Sequence, residues 1–228
     1  MRIIYIIITI ALCLCAGCRG KSKHKRHKVD NSPITYSYGI DLSNHNTVTN
    51  WNKVTADFIF LKATEGSTLR DKKFNKYRAA AQKRGIPVGA YHFFTTSSSA
   101  EKQFENFRKV VGHNIDLIPV LDAEVIAKRY PMSKSRYLQH AKRFVDLCKK
   151  HYGVKPIIYS PEWFYKKYEL SRLDCMFWSG EINRKPRVPH VIHQKTIRPV
   201  PGVAGEVDLD ILNCDIEKIR LKKQQTLQ

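Results

Sequence analysis

Acidic residues are scarce in this sequence: 20 Asp and Glu stand against 40 Lys and Arg over 228 residues, a formal charge of +20. That deficit predicts attraction to polyanions, whether nucleic acid, anionic lipid or acidic cell-wall polymer, and does not choose among them. Cysteine is scarce where it would matter. Of the six, Cys13, Cys15 and Cys18 fall in an N-terminal leader. The other three, Cys148, Cys175 and Cys214, are odd in number and show neither CxxC nor Cys/His metal spacing. This argues against a disulfide framework and a zinc site, predicts no metal or other cofactor, and leaves the three as buried small apolar residues. Helix-turn-helix, zinc and RNA-binding signatures are also missing, so no specific nucleic-acid partner is expected. Apolar residues are not missing. With 43% hydrophobic and 11% aromatic residues, the chain can build a core in one large domain or two small ones, and disorder is not its default.

The leader supplies an address. Arg2 precedes the apolar stretch Ile3 to Cys15, which fits the charged and apolar regions of an export signal and is too short for a comfortable membrane span. Its end, Leu14-Cys15-Ala16-Gly17-Cys18, resembles a bacterial lipobox. That resemblance implies lipid attachment at Cys18 and an exported chain anchored to a bacterial membrane. Cys15 stands where the pattern has Leu, so ordinary cleavage and an uncleaved anchor stay open. Residues 19–28 then carry six Lys or Arg without an acid or an aromatic. Such a block reads as a solvated tether able to hold anionic headgroups, and it lacks the base-reading residues of a nucleic-acid arm. Residues 1–18 are therefore read as a signal peptide with a lipobox, 19–35 as a basic flexible linker, 36–216 as the folded domain and 217–228 as a basic C-terminal tail.

Within the domain, strand-like runs alternate with helix-like segments. Tyr38 to Ser43 is followed by a polar turn and Trp51 to Val54. Phe58 to Ala63 leads to a helical pattern over Asp71–Arg84, with Phe74, Tyr77 and Ala81 on one face and Gly85 as the stop. Pro87 to Phe94 is followed by serines that can cap a helix carrying Phe104, Phe107 and Val111 inward. Leu117 to Glu124 precedes the clearest helix, with Tyr137, Ala141, Phe144, Val145, Cys148 and Tyr152 on one face and Gly153 at its end. Lys155 to Tyr159 runs into Ser160-Pro161-Glu162, which reads as a cap followed by proline at the first helical position. Cys175 to Gly180, His190 to Gln194 and Val207 to Leu212 are further short apolar runs, and the gaps between the last pairs are too short for packed crossover helices. Eight strands with helices after the first five predict a barrel whose last third lacks its helices.

The stretch Leu117-Ile118-Pro119-Val120-Leu121-Asp122-Ala123-Glu124 organises this pattern. In an extended segment side chains alternate faces, so Asp122 and Glu124 share one surface. Acids ending a buried run are costly unless hydrogen-bonded, neutralised or used. In parallel barrels chemistry collects at strand ends, where loops converge on one mouth. Asp41, Glu65, His92, Asp122, Glu124, Glu181 and Asp208 all fall at or near such ends.

From Tyr38 to Asn213 the chain resembles glycoside hydrolase family 25, the lysozyme-type muramidases. The motifs that carry the resemblance are Gly39-Ile40-Asp41 with Ser43; Lys62-Ala63-Thr64-Glu65-Gly66 with Asp71 and Phe74; Tyr91-His92-Phe93; Leu121-Asp122-Ala123-Glu124; Ile158-Tyr159; and Val200-Pro201-Gly202 leading to Val207-Asp208-Leu209-Asp210. The resemblance implies a flattened TIM-like α/β barrel of five β/α units and three further strands, and makes residues 36–216 a muramidase catalytic domain. It implies Glu124 as general acid, Asp122 as its paired carboxylate, and Asp41 and Asp208 as the acids completing the pocket. Glycosidic cleavage needs a proton for the leaving oxygen and negative charge or a nucleophile near the oxocarbenium-like centre. Crowded carboxylates keep a member protonated. The family is associated with retention, so Asp122 is a nucleophile, a group orienting the substrate's acetamide, or a regulator of Glu124.

Tyr91, His92, Tyr159, Trp178 and Glu65 are the candidate substrate-binding residues, each with a structural alternative. The three rings can present polar tips to sugars or be core aromatics. His92, with no metal-spaced partners, reads first as a structural histidine, and Glu65 can hold a turn. Asp210 lies on the same strand face as Asp208, and only the motif distinguishes them. Asn44-His45-Asn46-Thr47 and His193-Gln194-Lys195 depart from the family pattern at the rim and bear on sugar specificity. The expectation is an exported monomeric peptidoglycan hydrolase whose basic segments meet anionic membrane or wall surfaces. The competing reading is a non-catalytic glycan-binding module on the same barrel.

Overall fold

The computed structural model describes residues 37–222; the export signal, the lipobox with Cys18, the basic linker and the last residues of the tail lie outside them. Eight of the nine strands in the main sheet close into a barrel. They are β1 (Ser37–Leu42), β2 (Phe58–Glu65), β3 (Val88–Phe93), β4 (Val120–Asp122), β5 (Ile157–Ser160), β6 (Phe177–Ser179), β7 (Ile192–Pro199) and β8 (Glu206–Leu212). Strands β1 to β7 run parallel to their neighbours. Strand β8 runs antiparallel between β7 and β1 and closes the ring. The ninth strand, Leu69–Arg70, folds back on the end of β2, and Thr47–Val48 pairs with Val203–Ala204 above the mouth.

A short 3-10 turn (Trp51–Lys53) and the helices α1 (Phe74–Lys83), α2 (Ala100–Val111), α3 (Lys134–Tyr152) and α4 (Glu162–Lys167) follow the first five strands, and none packs behind the last three. This is the barrel without helices in its last third that the alternating pattern predicts, in the TIM-like form the family resemblance implies. Ser99 and Ser133 cap α2 and α3 by accepting from Lys102 N and Arg136 N, and Gly153 ends α3 in the left-handed conformation at φ 77°. Helix α1 starts at Phe74, later than the expected Asp71, because the Asp71 carboxylate accepts from Lys73 N and from Asn44 N across to the loop after β1. Helix α4 also differs from its sequence signal. Ser160 ends β5, Pro161 is the extended residue before the helix (ψ 141°), and the free Glu162 N–H is met by the Glu181 carboxylate at 3.0 Å. A distant acid thus does what a local cap was expected to do.

Alternation divides the core in two. Outward residues of the strands, among them Ile59, Leu61, Leu121, Ala123 and Ile158, pack against Phe107, Tyr137 and Phe144 of the helices. Inward residues Phe58, Phe60, Val120, Ile157, Trp178, Ile192 and Leu212 fill the barrel interior. A side chain on Gly39 or Gly89 would collide with the Phe58 or Phe60 ring, so both positions are left bare for the plug. The ladder of β4 is shorter than the apolar run around it: Pro119 has no N–H to offer, and Leu117 pairs instead with Arg220. That bridge moves the expected domain boundary. Ile118 N donates to Ile219 O at 2.8 Å and Leu221 N to Asp116 O at 2.9 Å, and fully buried Ile219 joins the interior plug. Residues 217–222 therefore belong to the domain rather than to a tail. Of the cysteines, Cys148 is buried and Cys175 and Cys214 are half-buried, all three free. Among the described residues no helix is long and apolar enough to cross a membrane.

Candidate active site

All eight strands contribute to one cavity of about 240 Å³ at the end where β1 to β7 terminate. Its lining includes Asp41 from β1, Lys62 from β2, Tyr91 and Phe93 from β3, Asp122 and Glu124 from β4 and the residues just after it, Tyr159 from β5, Trp178 from β6, Gln194 from β7 and Asp208 from β8. Asp41 and Asp208 are direct partners across the antiparallel pair that closes the ring. Their β-carbons are therefore about 4.5–5.5 Å apart. Asp122 and Glu124 project inward from one edge while Leu121 and Ala123 pack outward, as a period of two requires.

The acids are kept from ionising freely. Burial, then the charges of Asp208 and Glu124, raise Asp41 well above the ordinary carboxylate range, against a hydrogen bond from Gln194. Burial, then Glu124 and Asp41, do the same to Asp122, whose Oδ1 is buried without a partner. Burial also raises Glu124 and Asp208. Lys62 is the counterweight, lowering both Asp122 and Glu124. Its ammonium lies 2.7 Å from Glu65 and 4.7 Å from the centre of the Phe93 ring. Asp41, Asp122 and Glu124 thus oppose one another's ionisation and titrate as a group. Glu124 lies at the half-buried mouth, where a proton can reach a ligand.

Asp210, the other inward acid of β8, sits one layer deeper, opposite Gly39. It is fully buried and neither oxygen has a hydrogen-bond partner. Burial, Asp41 and Asp208 push it well up, and the Trp178 indole N–H, close enough to oppose this, reaches hydrogen-bond geometry with neither oxygen.

The candidate substrate-binding residues divide. Tyr91, Tyr159 and Trp178 line the cavity. Trp178 is only 2% exposed and is floor rather than an open stacking surface. His92 faces away from the cavity, because on β3 the inward residues are Tyr91 and Phe93. It is fully buried between the barrel and the helices, stacked on Phe144 with ring centres 5.0 Å apart. Its Nδ1 accepts from Thr64 Oγ1 at 2.7 Å and its Nε2–H donates to Gln103 Oε1 at 3.1 Å. Burial lowers its pKa to about 3, so it is a neutral structural imidazole. Glu65 ends β2 outside the cavity lining, just past the register shift between Lys62 and Thr64, and pairs with Lys62.

Two contributors were not singled out from sequence. Gln194 accepts from the Tyr159 hydroxyl at 2.7 Å and donates to Asp41 Oδ2 at 3.2 Å, linking β5, β7 and β1 through one amide. Its signal was a lone amide in an apolar run. Lys62 was read only as part of a motif, although the alternation Phe58, Phe60, Lys62 aims it inward. The divergent loop after β1 is also built rather than loose. Asp71 binds Asn44 N at 2.7 Å, and Lys73 Nζ and Tyr77 Oη donate to Asn46 O at 2.7 and 2.9 Å. That framework sets His45 on the cavity rim.

An open cleft with clustered acids at the carboxyl ends of barrel strands fits a glycoside-cleaving enzyme. Comparison with known proteins agrees: residues 40–194 match the glycosyl hydrolases family 25, and the chain belongs to that family. It is 32% identical over 204 residues to the uncharacterized protein YegX of Escherichia coli O157:H7, covering 82% of this chain and 74% of that one. It is 26% identical over 181 residues to the autolytic lysozyme of Clostridium acetobutylicum, covering 75% of this chain and 54% of that protein. The crystal structure of the bacterial lysozyme from Streptomyces coelicolor superposes with a TM-score of 0.73 at 26% identity, covering 80% of this chain and 94% of that one.

Proposed function

We infer that this glycoside hydrolase is a muramidase that cleaves the β-1,4 bond between N-acetylmuramic acid and N-acetylglucosamine in peptidoglycan. The observation that carries the reading is the convergence of Asp41, Asp122, Glu124 and Asp208 on one open cavity. A neutral sugar ring needs no such gathering of acids to be bound, whereas breaking its glycosidic bond needs a proton donor and a stabiliser of positive charge. Glu124, raised by burial yet at the mouth, is the proton donor to the leaving oxygen. Asp122, deeper and more crowded, orients the substrate's acetamide for attack on the anomeric carbon, so the configuration is retained. Asp41 and Asp208, paired across β1 and β8, complete the acid wall of the cavity. Substrate contacts fall to Tyr91, Tyr159 and the edge of Trp178.

The test is incubation of the purified chain with peptidoglycan sacculi and analysis of the released fragments. New reducing ends at muramic acid support the reading, and equal release by the Glu124→Gln variant overturns the assignment of the acid. The first-formed anomer, followed by NMR, decides retention. A wall substrate places the enzyme outside the cytoplasm. Cys18 is the proposed attachment point for a lipid, and mass analysis of the mature N-terminus tests it.

A further inference from the structure

Beside the catalytic cavity lies a second groove, of about 750 Å³, between α4 and the loop from β6 to β7. Its upper lining is Trp163, Lys166, Arg184, Lys185 and Arg187. Arg184 and Lys185 continue into an adjoining depression with Lys195, one residue along β7 from Gln194 of the catalytic cavity. These cations are all exposed, and Trp163 at 60% is the most exposed large apolar side chain among the described residues.

The groove's own acids answer only part of its charge, two carboxylates standing against four cations in its lining. Glu162 is buried, and its Oε1 accepts from Arg187 N and from Val188 N, the latter at 2.8 Å. The Glu181 carboxylate is taken up by Glu162 N. Only Lys166 has a carboxylate partner among the described residues, Glu162 at 3.3 Å. The loop that presents the arginines is meanwhile pinned: Asn183 N donates to Lys195 O at 2.8 Å and His193 Nε2–H to Glu181 O at 2.9 Å. Free cations on a fixed backbone, next to an exposed ring, form a surface that is complementary to carboxylates.

We propose that this groove is a subsite for the peptide stems of peptidoglycan, its cations pairing with stem carboxylates and Trp163 covering stem methyl groups. The proposal rests on the muramidase reading for the nature of the polymer. With its lactyl carboxyls taken up in amide bonds to the stems, the amino-sugar backbone is uncharged and offers these cations nothing. The peptide attached to each muramic sugar carries the carboxylates, and one such sugar adjoins the bond being cut.

The experiment measures binding of defined glycan strands, with stems and stripped of them to the uncharged lactyl amide, to the full chain carrying Glu124→Gln to block turnover. The same is done after adding Arg184→Gln, Lys185→Gln and Arg187→Gln together. These three change side chains only, leaving the backbone bonds to Glu162 intact. Stems should tighten binding about tenfold, the sum of several exposed ion pairs. The triple variant should lose that increment while holding stripped strands as before. Equal affinity for both strands, equal loss on both, no binding of either, or a stem-free phosphate-rich wall polymer that reproduces the whole increment would each overturn the proposal. Hydrolysis of stripped strands by the chain with Glu124 intact is measured in parallel. Its absence counts against the muramidase reading, while the binding comparison still decides the groove.

Discussion

Inside the barrel each strand changes character along its length. Toward one end the inward residues are Phe58, Phe60, Val120, Ile157, Ile192 and Leu212, and toward the other they are Asp41, Lys62, Asp122, Tyr159, Gln194 and Asp208. The two layers share a backbone and a register. The lower one excludes water and contributes roughly 1.5–3 kcal/mol for each large side chain it buries. The upper one keeps acids partly desolvated and mutually opposed, which weakens folding and suits them to proton transfer. Depth along the axis, more than fold, separates what holds the molecule together from what it does.

The largest effect should come from the mouth. Glu124→Gln should slow wall lysis by about 10²–10⁴-fold with little change in thermal midpoint; a large loss of stability would mean the two layers are not separable. Phe60→Ala should do the opposite, costing about 3–5 kcal/mol in urea unfolding because the plug cannot collapse around the gap.

Asp210 lies on the boundary. Its folded pKa is raised, so between its unfolded value, about 3.9, and the folded one, the native protein holds a proton the unfolded chain has released. Its contribution is therefore complete below about 3.9 and declines as pH rises toward the folded pKa. Asp210→Asn should flatten that decline and raise stability by about 1–3 kcal/mol at pH 8, read from unfolding curves across pH. A variant less stable than the parent at pH 8 would show that the carboxyl has a partner.

Gln194→Ala should lower kcat/KM about tenfold and shift to higher pH the limb that depends on Asp41, since the amide's hydrogen bond lowers Asp41. An unmoved profile would reduce Gln194 to packing. The smallest effect is on the surface: raising salt from about 0.05 to about 0.5 M should slow wall digestion a few-fold and leave short soluble oligosaccharides unaffected. If both substrates respond alike, surface charge does not recruit the enzyme.

What sequence could reveal followed the same axis. Period-two alternation put Asp122 and Glu124 on one face, and applied to β3 it also turns His92 outward between Tyr91 and Phe93. It could not rank Asp208 against Asp210, because both point inward and differ only in depth, which the pairing with Asp41 or Gly39 decides. The capping of α4 by Glu181 and the burial of Ile219 were illegible for another reason: each depends on a partner remote in the chain. Gln194 and Asp41 are likewise 153 residues apart.

That separation orders events in time. Asp41 lies on the first strand and Asp208 on the last, and the ring joins only where those two strands pair. Until they pair, the chain holds at most part of the acid set and no enclosed mouth. Such late, non-local pairing is intrinsically slow. The acid set is thus complete only when the two extremes of the domain have met.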